Sequence, residues 1–167
     1  GADLIAVWRG SRRAASDEAP RKGYRMVRTA TGEWLLMALG AAMLIWPLIW
    51  PSPYLAAPVW LGFILLLDPV NRRLGQPSLL GDVRDGFSQR AINLMLSGLL
   101  CGVLWEFWNY WAIAKWHYTV PIFENLKVFE MPVLGYGGFP AFALECFTMY
   151  VFVRAFVWRR PGRAIAL

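Results

Sequence analysis

The sequence predicts an all-α integral membrane protein with four spanning helices and an aromatic interfacial loop, and three features predict it. The 167 residues are 57% hydrophobic and 16% aromatic, with a mean hydropathy of +0.40, which is too apolar and too short of charge for a soluble domain of this size. Four apolar runs, each bounded by proline, tryptophan or arginine, are long enough to approach the thickness of a bilayer. Threading them back and forth puts fifteen of the seventeen Lys and Arg residues on one side and leaves only Lys115 and Lys127 opposite. The positive-inside rule then makes both termini cytoplasmic. The net charge of +6 and pI near 9.7 follow from these flanking arginines. No aromatic-plus-basic RNA-binding pattern or zinc-finger spacing is present, so the expected partners are membrane lipids and other membrane subunits rather than nucleic acid.

Three regions divide the chain: a basic tail over 1–32, a membrane domain over 33–158 and a basic end over 159–167. A start at Gly1, with neither Met nor a signal peptide, is expected of a processed product or of part of something longer. Leu4, Ile5, Val7 and Trp8 form an apolar patch suited to a short interfacial helix, followed by linker-like residues 14–20. The first span is expected over 34–50, with Trp46 and Trp50 at its far interface, and the WPSP run at 50–53 turns the chain straight back. A second span over 54–68 ends at Pro69, where Asp68 is an interface anchor within reach of Arg72 if the helix persists. The connection after it carries a plausible amphipathic turn through Leu79, Leu80 and Val83.

The third span, 88–111, is the longest and holds a GxxxG pair, Gly98 and Gly102, the residue type that lets membrane helices approach closely. Glu106 and Asn109 continue the same helical face at spacings of four and three. An aromatic stretch over 112–138 is expected to fold back as a cap, and the fourth span, 139–158, enters at Pro140, suited to a first helical turn. Cys101 and Cys146, in the third and fourth spans, have no metal or disulfide spacing and read as small buried residues at helix contacts.

The unusual chemistry gathers at Glu106. A carboxylate in a lipid-spanning segment is costly, by about 2.5 kcal/mol or more, unless something meets it. Counting from the outer helix ends sets Glu106 and Glu145 at matching depth, which predicts a shared pocket of Glu106, Asn109, Glu145 and Thr148 beneath the cap, with Trp105, Trp108, Trp116 and Tyr118 as ligand-binding aromatics. Two carboxylates that close cannot both ionise cheaply, so one would be a neutral acid able to protonate an alkene beside aromatic faces. The alternative is that these groups are structural and satisfy one another and loop residues such as Lys115. Glu106, Glu130, Glu145 and His117 could in principle ligate a metal, but the Glu-x-x-His pair of carboxylate-bridged sites is missing, so no metal is expected. His117, the lone histidine, is either a belt residue or an axial ligand to a macrocycle; the sequence itself requires no cofactor.

Two resemblances rest on these residues. WLGFILLLDP at 60–69, WEFWN at 105–109 and KVFEMPVLGYGGFPAFALE at 127–145 resemble, in order, the motifs of a group of uncharacterised bacterial polytopic membrane proteins built from related half-repeats. This covers roughly 54–154, implies that the chain is one copy of a duplicated unit, and brings no activity with it. Trp116, Tyr118, Pro121, Pro140 and Glu145 resemble the membrane lycopene cyclase domain, which implies carboxylate acid/base chemistry on an isoprenoid. Those cyclases carry adjacent acids where Glu145 is here followed by Cys146. Two functions are therefore expected: an accessory or structural subunit of a larger membrane assembly, such as a lipid- or pigment-containing photosynthetic or respiratory complex, or a small intramembrane enzyme in which Glu106 and Glu145 act as acid and base and Asn109 orients.

Overall fold

A computed structural model describes residues 1–8, 30–86, 88–118 and 126–157. The protein is all-α. A short helix α1 (Ala2–Trp8) precedes α2 (Ala30–Ile49), α3 (Ala56–Arg73), the short α4 (Leu79–Asp85), α5 (Gln89–Trp111) and α6 (Gly138–Val157). Four stretches built on α2, α3, α5 and α6 are long and apolar enough to cross a membrane: Thr31–Ile49, Pro53–Arg73, Gln89–Trp111 and Val133–Val157. The apolar surface is turned outward and the polar side chains inward. Leu35, Leu48, Trp46, Leu100, Leu104 and Val153 are exposed, whereas Asn71, Glu106 and Thr148 are fully enclosed, the inverse of a soluble core and the pattern lipid contact favours.

The long helices pack as an open row. Helix α2 lies against α3, α3 against α6, and α6 against α5, and α1 also rests on α5; among the described residues no comparable contact joins α2 to α5. Glycine sets the first of these contacts. A Cβ on Gly40 of α2 would sit 2.6 Å from the Leu66 nitrogen and 2.7 Å from the Gly62 carbonyl oxygen of α3, so the two backbones touch. At the α5–α6 contact, a Cβ on Gly98 would strike the Phe139 carbonyl and Ala143, and one on Gly102 would enter the Phe139 ring. Helices α3 and α6 run side by side, with the Trp60 ring against Gly138 at one end and the Asn71 amide donating to the Thr148 carbonyl at 2.9 Å nearer the other.

Several elements depart from the sequence expectation. The second span does not stop at Asp68: α3 continues through Pro69 to Arg73. The lost backbone hydrogen bond is offset because the extra turn delivers Arg72 and Arg73 to Glu33, in the first turn of α2, with Arg73 Nε 3.1 Å from the carboxylate and stacked 4.4 Å over the Trp34 ring. The expected Asp68–Arg72 pair is therefore not what Asp68 does. Its carboxylate accepts from the Ser78 hydroxyl at 2.8 Å and from the N–H groups of Leu79 and Leu80 at 2.8 and 2.7 Å, tying the N-terminus of α4 beneath α3. The turn expected through Leu79, Leu80 and Val83 is this helix; Ser78 caps its start by accepting from the Gly81 N–H at 3.0 Å, and Gly86, at φ 85°, ends it.

The N-terminal patch forms a short helix, as expected, and it rests on α5. Helix α1 packs along α5 with Gly1 against Ser97, eight residues into that helix and so ~12 Å from its start. Cys101 and Cys146 are exposed on their helix sides rather than buried in helix contacts. The linker expected at 14–20, Pro121 and the end of the fourth span at Trp158 lie outside the described residues.

Candidate functional site

Glu106 sits in the last third of α5 with none of its surface exposed. Past Trp111 the backbone becomes extended at Ala112 (φ −71°, ψ 143°) and the chain doubles back along the helix end. This return brings Tyr118 to Glu106, where the phenol donates to Oε1 at 2.5 Å; Trp105 contacts the same hydroxyl. Burial, with the hydrogen bond to Glu106 second, pushes the Tyr118 phenol up to about 12, so it stays protonated and remains a donor. One turn later Asn109 binds the returning backbone twice: its Oδ1 accepts from the Trp116 N–H at 2.6 Å and its Nδ2 donates to the Trp116 carbonyl at 2.9 Å. Glu106 and Asn109 thus hold residues 112–118 down on the helix that carries them.

The second half of the cap is a small hairpin. Lys127–Val128 pairs antiparallel with Met131–Pro132, and Phe129 at its tip takes a left-handed conformation at φ 58°. That conformation is uncommon for a side chain of this size. The Phe129 ring accompanies it onto Tyr110 and Phe107, with centroids 5.6 and 6.2 Å away. Beside it, Glu130 accepts from Lys115 at 2.9 Å and lies 3.5 Å from His117 Nδ1. The hydrogen bond from Lys115 holds the Glu130 carboxyl below the usual range. The Tyr136 hydroxyl donates to the Val128 carbonyl at 3.0 Å, and the Val133 N–H to that of Leu126 at 2.9 Å, so the hairpin is sewn to the entry of α6.

The pocket expected from four polar residues does not assemble. Gly98 and Gly102 both meet Phe139, and Gly98 also meets Ala143, so α5 and α6 are in antiparallel register with position 102 level with 139. In that register Glu145 lies level with residues near 95 of α5, about ten residues below Glu106, or ~15 Å along the axis. The sequence count went astray because α5 extends well past the start of α6 instead of ending level with it. Thr148 faces another helix: its hydroxyl donates to the Leu144 carbonyl at 2.9 Å and its own carbonyl takes Asn71. Trp105, Trp108 and Trp116 are largely exposed, as belt residues are. His117 is exposed and turned to Glu130, and Lys115 belongs to Glu130 rather than to Glu106 or Glu145. Among the described residues no three His, Cys, Asp or Glu side chains gather as a metal site.

What remains chemically open at this site is one atom. Glu106 Oε2 is enclosed and has no hydrogen-bond partner. Sequence reasoning missed Tyr118 as its partner, because the return of the loop is a tertiary event. It also missed the Glu33–Arg72–Arg73 cluster, for which the signal was present: both ends fall on the same side once four spans are threaded. Comparison with models of known protein families, with curated proteins and with solved structures finds no match to this chain.

Proposed function

We propose that this is a multi-pass protein of a bacterial inner membrane, with both termini cytoplasmic, that serves as an accessory or structural subunit of a larger membrane assembly. The observation that carries this reading is the open row: α2 and α5 each present a long flank that none of the other long helices described covers, lined with exposed Trp, Phe and Leu side chains. The polar residues of the candidate site are spent internally, Glu106 and Asn109 on the returning loop and Glu130 on Lys115, which is what a rigid building block needs. The orientation is supported by Arg72, Arg73, Arg90 and Arg154 lying at one end of the row and Lys115 and Lys127 at the other.

A lipid- or isoprenoid-directed enzyme is the second reading, and the enclosed, unpartnered Glu106 Oε2 is the observation in its favour. It would have to work with one carboxylate, because Glu145 is too far along the axis to act as the paired base. Gentle extraction of the tagged protein in native lipid discs, followed by native mass spectrometry, tests the subunit reading. Other membrane chains are expected at fixed stoichiometry, and a lone monomer from several solubilisation conditions overturns it.

A further inference from the structure

At the arginine-rich end of the row, Arg154 is in the last turn of α6 and only 7% exposed, yet its Nε and Nη2 are buried without a hydrogen-bond partner. Its guanidinium lies over the face of Tyr150, 5.5 Å from the ring centroid. Of the acids described at this end, Glu33 is engaged by Arg72 and Arg73, Asp68 by the N-terminus of α4 and Asp82 by Arg90 at 2.9 Å, while Asp85 on α4 lies within electrostatic reach of Arg72. A buried guanidinium with two idle donors is costly unless an anion meets it. The register set at Gly98 and Gly102 brings the start of α5 level with Arg154, and there Gln89 Oε1 is also enclosed without a partner, as is Asn71 Oδ1 on α3. Asp82 Oδ2 and Arg90 Nη1, also enclosed, answer each other as an ion pair, so the unpartnered atoms described at this end are those of Asn71, Gln89 and Arg154.

We infer that Arg154 is the recognition residue of a phosphate-binding site between the ends of α3, α5 and α6, taking the phosphate of an anionic lipid headgroup or free phosphate. A guanidinium presents two parallel N–H donors to two phosphate oxygens, and a basic pocket between helix ends at the level of the headgroups is where such a lipid is held. The orphan acceptors on Gln89 and Asn71 suit the hydroxyls of a glycerol headgroup, which selects phosphatidylglycerol as the probe.

The experiment titrates the full chain, purified in a neutral detergent, with phosphatidylglycerol, phosphatidylcholine or inorganic phosphate while following its thermal midpoint, and counts bound lipid by native mass spectrometry. The wild type is expected to be stabilised by phosphatidylglycerol and not by phosphatidylcholine. Stabilisation by inorganic phosphate as well assigns the site to phosphate itself; its absence assigns it to the lipid. Arg154→Lys keeps the charge without the fork and is expected to bind roughly tenfold more weakly or worse, the cost of a charge-assisted hydrogen bond. Arg154→Met is expected to lose the response, while Arg84→Met, on α4, keeps it. No stabilisation of the wild type, an undiminished response in Arg154→Lys, or equal losses in Arg84→Met and the Arg154 variants overturns the proposal, the last by reducing it to general surface charge.

Discussion

A methyl group added at Gly98 and one added at Gly102 meet different obstacles. At Gly98 the nearest atom is the Phe139 carbonyl oxygen, part of a helix backbone that cannot turn aside; at Gly102 it is the Phe139 ring, a side chain that can be shortened. Gly98→Ala and Gly102→Ala are therefore both expected to destabilise the protein by about 1–3 kcal/mol, the usual cost of overpacking. Phe139→Leu is expected to restore Gly102→Ala and to leave Gly98→Ala unimproved, as thermal unfolding of the four variants in detergent would read. Rescue of both would mean that α5 and α6 are free to slide, and the register separating Glu106 from Glu145 would fall with it. The sequence made Gly98, Gly102, Glu106 and Asn109 legible as a set, since helical spacing alone puts them on one face. It left Tyr118 and Trp116 unassigned as their partners, because nothing local says where a chain leaving a helix will return.

Among the elements, α4 is the one whose docking depends on protonation. Burial raises the Asp82 carboxyl from 3.8 to about 6; Arg90 pulls it down less than burial pushes it up, and Asp68 on α3 and Asp85 on α4 push it further. A carboxyl held higher in the folded than in the unfolded chain binds its proton more tightly when folded, so its contribution is full below pH 3.8 and is lost as pH rises through about 6. The protein is thus expected to gain stability on going from about pH 7.5 to about pH 5 through this residue. Asp82→Asn is expected to flatten that difference and to be no less stable than wild type at the higher pH, because the burial cost exceeds what Arg90 returns. Identical pH profiles of the thermal midpoint in the two proteins would show that Asp82 is already solvated. Glu130 works in the opposite sense at the cap: with its carboxyl held low by Lys115, its contribution fades as the medium becomes acidic. A short amphipathic turn through Leu79, Leu80 and Val83 was visible in the sequence. That Asp68, eleven positions earlier, anchors it was not, because the sequence pairs Asp68 with its near neighbour Arg72 just as readily.

For the whole molecule the testable quantity is orientation. Arg84→Cys on α4 and Lys127→Cys on the hairpin lie at opposite ends of the row, and because Cys101 and Cys146 are exposed on helix sides, replacing both with Ser leaves the helix contacts intact. A membrane-impermeant maleimide added to intact cells is expected to label Lys127→Cys, and Arg84→Cys only after the cells are opened. The reverse pattern would invert the topology and, with it, the leaflet in which a ligand of Arg154 is sought. The open order of the row was not legible beforehand: four spans of suitable length are equally compatible with a closed bundle, and the choice rests on which glycines meet which backbones.

By itself the sequence determined that the chain is helical, how many of its segments can cross a membrane, which end is basic and which residues are costly there, since all of these follow from composition and spacing summed along one strand of text. Tertiary structure decided the axial offset of the last two spans, with Glu145 level with the first third of α5, and that Glu106 is partnered by a tyrosine of its own loop. The physical reason is that depth along a helix is read from its ends, whereas the ends themselves are set by where glycine lets one backbone rest against another.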